Sequence, residues 1–183
     1  MFGEKNFENM RTMVENLRKR HDSCTDLPRL RRDNDEKVGA FPCRSFNLGE
    51  QVATFPHLDE KNLAQGWCSI TALGEFNPDL GGHLVLWDFG LVIRFPPGST
   101  ILIPSALFLH SNTSIQPGES RNSIVQYAAG GLFRWAKRGY MSEKDWLSQA
   151  TKSALVKEKE RRELCWAKAA SMFTRVEDLR ASG

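Results

Sequence analysis

His57 and Asp59 stand two residues apart in Pro56-His57-Leu58-Asp59, directly after the run Gln51 to Pro56, which its pattern predicts as a strand. In extended backbone, residues two apart project to the same side. One imidazole and one carboxylate can therefore converge on a point from a single short segment. A second histidine from a distant strand would complete the two-histidine, one-carboxylate set of non-haem Fe(II) oxygenases, whose open positions leave room for 2-oxoglutarate and O2. Two histidines compete for that place, because His83 and His110 each precede an arginine by eleven residues, Arg94 and Arg121. His83 follows Gly81-Gly82 in a turn only 26 residues beyond His57, whereas His110 lies 53 residues beyond it, after the segment Pro97 to Pro104. The longer gap leaves room for the strands that must intervene before a barrel closes, which favours His110. Arg121 opens the next expected strand, with Ser123 on the same face. A planar guanidinium binds a carboxylate through two hydrogen bonds, so Arg121 suits the far end of 2-oxoglutarate.

The elements that would position these groups can be read from periodicity. Phe7, Met10, Val14 and Leu17 recur at helical spacing and predict an amphipathic helix over residues 4–20. Arg18, Lys19 and Arg20 crowd its end, where cations suit the helix dipole. The charged stretch His21 to Gly39, broken by Pro28, reads as a loop. Between residues 45 and 127, short apolar runs alternate with Gly and Pro turns: Trp67 to Leu73, Leu84 to Trp87, Leu91 to Phe95, Thr100 to Ile103 and Ser123 to Tyr127. Many short strands at this spacing suggest a sandwich or barrel. After Gly130-Gly131 the pattern turns helical, with Ser142 and Asp145 placed as a capping box. Trp146, Ala150 and Ala154 then share a face, and Trp166, Ala169, Phe173 and Val176 continue an apolar stripe. The expected organisation is one domain over residues 1–183, with a helical and loop flank at 1–44, a β core at 45–133 and a helical flank at 134–183.

A chain of 183 residues with 40% hydrophobic content can bury a core without staples. No apolar run approaches the ~20 residues of a membrane span, and the first residues are too polar for a signal peptide. An intracellular placement is expected, with no membrane partner. Cys24, Cys43, Cys68 and Cys165 form no closely spaced pair, so a zinc ribbon or thioredoxin-like motif is excluded and reduced thiols are expected. Residues 1–44 carry 10 basic and 8 acidic side chains, residues 45–133 carry 3 and 7, and residues 134–183 carry 12 and 7. Basic flanks around an acidic centre can meet a polyanion or be solvated helix faces. In the C-terminal part, Lys157, Lys159, Arg161 and Arg162 cluster within six residues, interrupted by Glu158, Glu160 and Glu163.

One ordered set of motifs goes further. Pro56 to Leu63, Gly66-Trp67-Cys68, Thr71 to Gly74, Gly81 to Trp87, Phe95 to Thr100, Ile103-Pro104-Ser105, His110-Ser111-Asn112, Glu119-Ser120-Arg121, Gln126-Tyr127 and Gly130 to Trp135 together resemble the TET/JBP-type dioxygenases of mushroom-forming fungi, often found beside mobile elements. The resemblance covers roughly residues 45–140. It implies an α+β fold with a double-stranded β-helix (jelly-roll) core, Fe(II) as cofactor, 2-oxoglutarate as co-substrate, and oxidation of a methyl group on a DNA base. It makes His57, Asp59 and His110 the metal ligands and Arg121 the co-substrate clamp, with Asn47 and Ser123 as further 2-oxoglutarate contacts. The implied partner is double-stranded DNA carrying 5-methylcytosine, or N6-methyladenine, which would be demethylated. Nuclear localisation and a monomer are expected accordingly. Arg94, Trp87, Asp88 and Tyr127 are candidates to touch a flipped base. Animal TET enzymes also carry a cysteine-rich zinc-binding region, which four scattered cysteines cannot supply, so DNA would be held by the basic flanks.

Three rivals stand beside this reading. A 2-oxoglutarate oxygenase of proteins or small molecules would keep the same triad. A metal-bearing barrel without catalysis would bind iron and release no succinate. A DNA-binding accessory module of a mobile element would need neither the triad nor Arg121.

Overall fold

The computed structural model describes residues 3–22 and 39–181. Most of the loop expected at His21 to Gly39, and Cys24 within it, lies outside the described residues. Among the described residues the chain is α+β: one α-helix, seven antiparallel strands with a short 3-10 helix at Trp87–Phe89 among them, and four further α-helices.

The larger sheet has the order β1 (Cys43–Asn47), β7 (Ser120–Tyr127), β2 (Cys68–Glu75), β5 (Thr100–Ile103). The smaller has the order β4 (Leu91–Ile93), β3 (Leu84–Leu86), β6 (His110–Asn112). Inward residues of both sheets meet in one apolar cluster, with Cys68, Ile70 and Ala72 of β2 and Ile103 of β5 against Leu84 and Leu86 of β3. The period-two alternation explains what the site receives. Register pairs Asn47 with Ser123 and Ser45 with Val125 across β1 and β7, so alternate residues from Arg121 to Tyr127 share the inner face. Gly74 of β2 lies opposite Arg121. Its φ of +111° and a Cβ position only 2.3 Å from the Ser120 carbonyl oxygen mean that no larger residue fits there. That close approach brings β2 against β7 where Arg121 is buried.

Of the strands expected from the short apolar runs, Thr100–Ile103 is present with the expected ends and the other four with shifted ends, and the structure adds β1 and β6. Gln51 to Pro56 is not a strand; Gln51 and His57 form only isolated bridges, to Arg121 and His110. Two residues can pair there without a continuous ladder, which is enough to fix the segment's direction. The β core begins at Cys43 rather than at residue 45, and the C-terminal helices begin at Gly130.

Helix α1 (Glu4–Asp22) exceeds the expected range by two residues. Its buried face runs through Asn6, Met10 and Met13, while Phe7 is 48% exposed. The stripe is therefore rotated, because the cluster of Met10, Met13, Ala128 and Phe133 faces helix α2 (Gly130–Lys137). Ser142 caps α3 (Glu143–Gln149) by accepting from the Asp145 backbone N–H at 3.1 Å. The reciprocal bond is made by the Ser142 hydroxyl to the Asp145 carboxylate rather than by backbone. Trp146, Ala150 and Ala154 do not share one helix: α3 ends at Gln149, and Thr151 caps α4 (Lys152–Ala170). The apolar stripe also fails in part, since Trp166 is 63% and Val176 59% exposed, whereas Ala169 is buried and Phe173 packs edge-on to Trp67. Val176 lies in the last helix, α5 (Val176–Ala181). Among the described residues no helix is long and apolar enough to cross a membrane.

Candidate metal centre

His57, Asp59 and His110 come together, each offering one ligand atom, and these atoms all lie within 4.8 Å of one another. The junction is made by backbone. The His57 N–H donates to the His110 carbonyl at 3.0 Å and the His110 N–H returns the bond at 3.1 Å. The two rings lie 4.4 Å apart between centroids. Asp59 is held by its own N–H on the Ser105 carbonyl at 3.1 Å. Its carboxylate Oδ1 faces the His57 Nε2 at 3.7 Å.

Both imidazoles are oriented the same way. His57 Nδ1 lies 2.8 Å from the Phe55 carbonyl, and His110 Nδ1 lies 2.9 Å from the Phe108 carbonyl. A carbonyl oxygen only accepts, so each Nδ1 must carry the hydrogen. Each Nε2 is then left with a lone pair directed to the common point, the tautomer a metal requires. Burial lowers the pKa of His110 first, and the charge of His57 lowers it further, against the raising effects of the Phe108 bond and Asp59. The neutral, ligating form of the imidazole is favoured. Two imidazole nitrogens and one carboxylate on one side of a cavity fit a divalent first-row metal with open positions.

The triad opens on a cavity of ≈ 370 Å³ whose wall includes Asn47, Arg121, Ser123 and Tyr127. Arg121 is 1% exposed. Its Nη1 donates to the Val52 carbonyl at 2.8 Å, while Nε and Nη2 have no partner among the described residues. Burial alone pushes its pKa down. A buried cation without a counter-charge is costly. Nε and Nη2 form one edge of the guanidinium plane, the edge that takes a carboxylate through two parallel bonds. Asn47 donates to the Ser123 hydroxyl at 2.9 Å on the same wall.

Other expected residues lie elsewhere. His83 bonds to Thr113 and does not join the triad. Arg94 is exposed and ion-paired with Asp79 rather than facing the cavity. Trp87 donates to Ser111 at 3.0 Å beside a separate apolar groove on the outer face of the smaller sheet. Asp88 accepts from the Leu109 N–H at 2.6 Å. Of the four candidate base contacts, Tyr127 alone borders the triad cavity. In the C-terminal cluster, Arg161 binds Glu158 through two bonds of 2.7 Å, and Arg162 lies 3.4 Å from the same carboxylate. These arginines, with Arg138, hold the Glu158 carboxyl down at a pKa of about 2. Lys157 and Lys159 are exposed.

Sequence reasoning missed Asn62, Ser105 and Asn112. Asn62 donates to Asp59 Oδ2 at 3.1 Å and to the Ser105 hydroxyl at 3.2 Å. Asn112 accepts from Thr54 at 2.9 Å and borders the cavity. The Asp-x-x-Asn spacing of a turn after the ligand pair could have pointed to Asn62.

No protein-family model matches the chain, and no curated protein matches it. Among solved structures, the chain has a distant likeness to NgTET1 in complex with 5mC DNA, with 20% identity and a TM-score of 0.43 over 50% of this chain. The match spans about a third of the other chain's length, 35%.

Proposed function

We propose that this chain is an Fe(II)- and 2-oxoglutarate-dependent dioxygenase that oxidises a methyl group on a DNA base, 5-methylcytosine first and N6-methyladenine second. The observation that carries the oxygenase reading is Arg121. It is buried, has no counter-ion among the described residues, leaves Nε and Nη2 unpartnered, and lines the cavity that the His57–Asp59–His110 set enters. A structural arginine would have a carboxylate; a co-substrate clamp would wait for one. On this reading the two sheets are the two sides of a double-stranded β-helix, and residues 1–183 act as one domain.

Fe(II) and 2-oxoglutarate, when bound, would supply with O2 the oxidising chemistry that replaces a C–H hydrogen by hydroxyl, 2-oxoglutarate leaving as succinate and CO2. The chain's own residues do the rest. His57, Asp59 and His110 hold the metal and leave its other positions open. Arg121 fixes the far carboxylate of 2-oxoglutarate, with Ser123 and Asn47 beside it. The apolar walls from Ile70, Leu84 and Val125 exclude water from the space between. A base inside a duplex cannot reach this cavity, so it must be flipped out at a cost of a few kcal/mol. Tyr127, which borders the cavity, is the candidate to touch such a base.

The substrate reading rests on the ordered motif set from Pro56 to Trp135. With it go a nuclear location and a monomer. The test is a panel of methylated duplex oligonucleotides and a methylated peptide, each incubated with Fe(II) and 2-oxoglutarate, with products identified by mass spectrometry. Hydroxymethylated cytosine or demethylated adenine is expected. Turnover on the peptide with both duplexes untouched would overturn the substrate and keep the oxygenase.

A further inference from the structure

The Asp59 carboxylate is held from two sides. Oδ1 faces the histidines, whereas Oδ2 accepts from the Asn62 amide at 3.1 Å. The amide must present its NH2 edge there, because the opposite flip would set two acceptors face to face. The same NH2 group donates to the hydroxyl of Ser105, itself 1% exposed. Asn62 is fixed in turn by backbone. Its N–H donates to the Asp59 carbonyl at 2.8 Å, and it bridges to Ala129. On either side, Leu63 N–H donates to the Ala128 carbonyl at 2.7 Å and Gly130 N–H to the Lys61 carbonyl at 2.9 Å. Ala128 and Phe133 belong to the apolar cluster beneath α1. The helical flank is thus connected to the Asp59 carboxylate through one side chain.

We infer that Asn62 is a positioning residue that reserves Oδ2 of Asp59, so that only Oδ1 is offered to the metal. A carboxylate free to turn could offer both oxygens and occupy a position the co-substrate needs. Asn62 lines the cavity, and the role inferred here is exerted through its bond to Asp59. The inference rests on the metal reading of His57, Asp59 and His110.

The test uses Co(II) as the probe, with the full chain. Co(II) affinity and visible absorption, which reports coordination number, are measured for the parent, Asn62→Ala, Ser105→Ala and Asp59→Ala, alongside metal-free melting temperatures. Asn62→Ala is expected to lower Co(II) affinity by about 10–100-fold and to alter the absorption, with the metal-free melting temperature near that of the parent. Ser105→Ala removes the second anchor of the amide and is expected to lower affinity several-fold. Parent-like affinity and absorption in Asn62→Ala, with binding lost in Asp59→Ala, would overturn the role of Asn62 and leave the metal site standing. Parent-like binding in both would overturn the metal site itself. Should Asn62→Ala not fold, Ser105→Ala decides: a loss supports the role, and parent-like binding overturns it.

Discussion

Replacing Arg121 with Met should remove the co-substrate clamp at little or no cost to the fold. Arg121 is 1% exposed, and among the described residues its guanidinium makes one bond, to Val52, and leaves Nε and Nη2 unpartnered. Replacing even a paired buried charge by an apolar chain of similar volume can gain on the order of 1–4 kcal/mol, and an unpaired one should gain at least as much. Leaving the Val52 carbonyl without its donor costs about 1–3 kcal/mol. These nearly cancel, so the metal- and ligand-free variant should melt within a few degrees of the parent, or above it. With metal present, 2-oxoglutarate at one hundred times its dissociation constant should stabilise the parent by about 2.7 kcal/mol. In a domain of this size that is roughly 5–11 °C. Losing the charged partner of a buried carboxylate costs about 2–5 kcal/mol, a weakening of about thirty-fold to several-thousand-fold. At the same concentration the shift in Arg121→Met should then be about 3 °C or less. Thermal unfolding of both proteins, with and without 2-oxoglutarate, measures all four quantities. A variant that keeps the parent's shift would refute the clamp. A ligand-free variant melting far below the parent would show that Arg121 is there to hold the fold.

Alanine at His57, Asp59 or His110 should abolish metal binding, whereas His83→Ala should leave it intact, as equilibrium dialysis against Co(II) would show; the opposite order for His83 and His110 would reverse the ligand assignment. The Glu158 carboxyl has a folded pKa of about 2, below its ordinary 4.5. Its ion pairs therefore stabilise the fold fully above the ordinary value and lose that contribution as pH falls towards the folded one. Glu158→Gln should lower the urea midpoint at neutral pH, with the difference shrinking between pH 4.5 and pH 2; a difference independent of pH would contradict the ion-pair account. For duplex DNA, Lys157→Ala with Lys159→Ala should flatten the plot of log affinity against log salt by roughly 0.9 for each phosphate no longer neutralised. Arg161→Ala should change that slope less, because its guanidinium is engaged with Glu158.

What the sequence revealed depended on how local the signal was. The convergence of His57 and Asp59 follows from two-residue spacing, and Arg121 with Ser123 from strand alternation. Long-range pairing was less visible. Strand β6 is three residues long and lies between turns, so no period marks it; its partner β3 and the bridge to His57 define it. The rotation of α1 depends on what α2 presents, which a single amphipathic pattern cannot reveal. Arg94 and Arg121 share the same spacing from a histidine; the longer gap before His110 already favoured Arg121, and the structure adds that Arg94 is an exposed partner of Asp79 whereas Arg121 is a buried cation with no counter-ion among the described residues. The arginines of the C-terminal cluster belong to Glu158 because helical neighbours three and four apart meet, a reading the interleaved glutamates already allowed.

The most direct test of the account is succinate released from 2-oxoglutarate and oxidised base recovered from a 5-methylcytosine duplex, both quantified in one aerobic reaction with Fe(II). The account predicts at least one succinate for every oxidised base from the parent chain, one for each oxidation step, and neither product from His110→Ala. No succinate and an unchanged duplex from the iron-supplied parent would contradict it, as would product formation that survives His110→Ala.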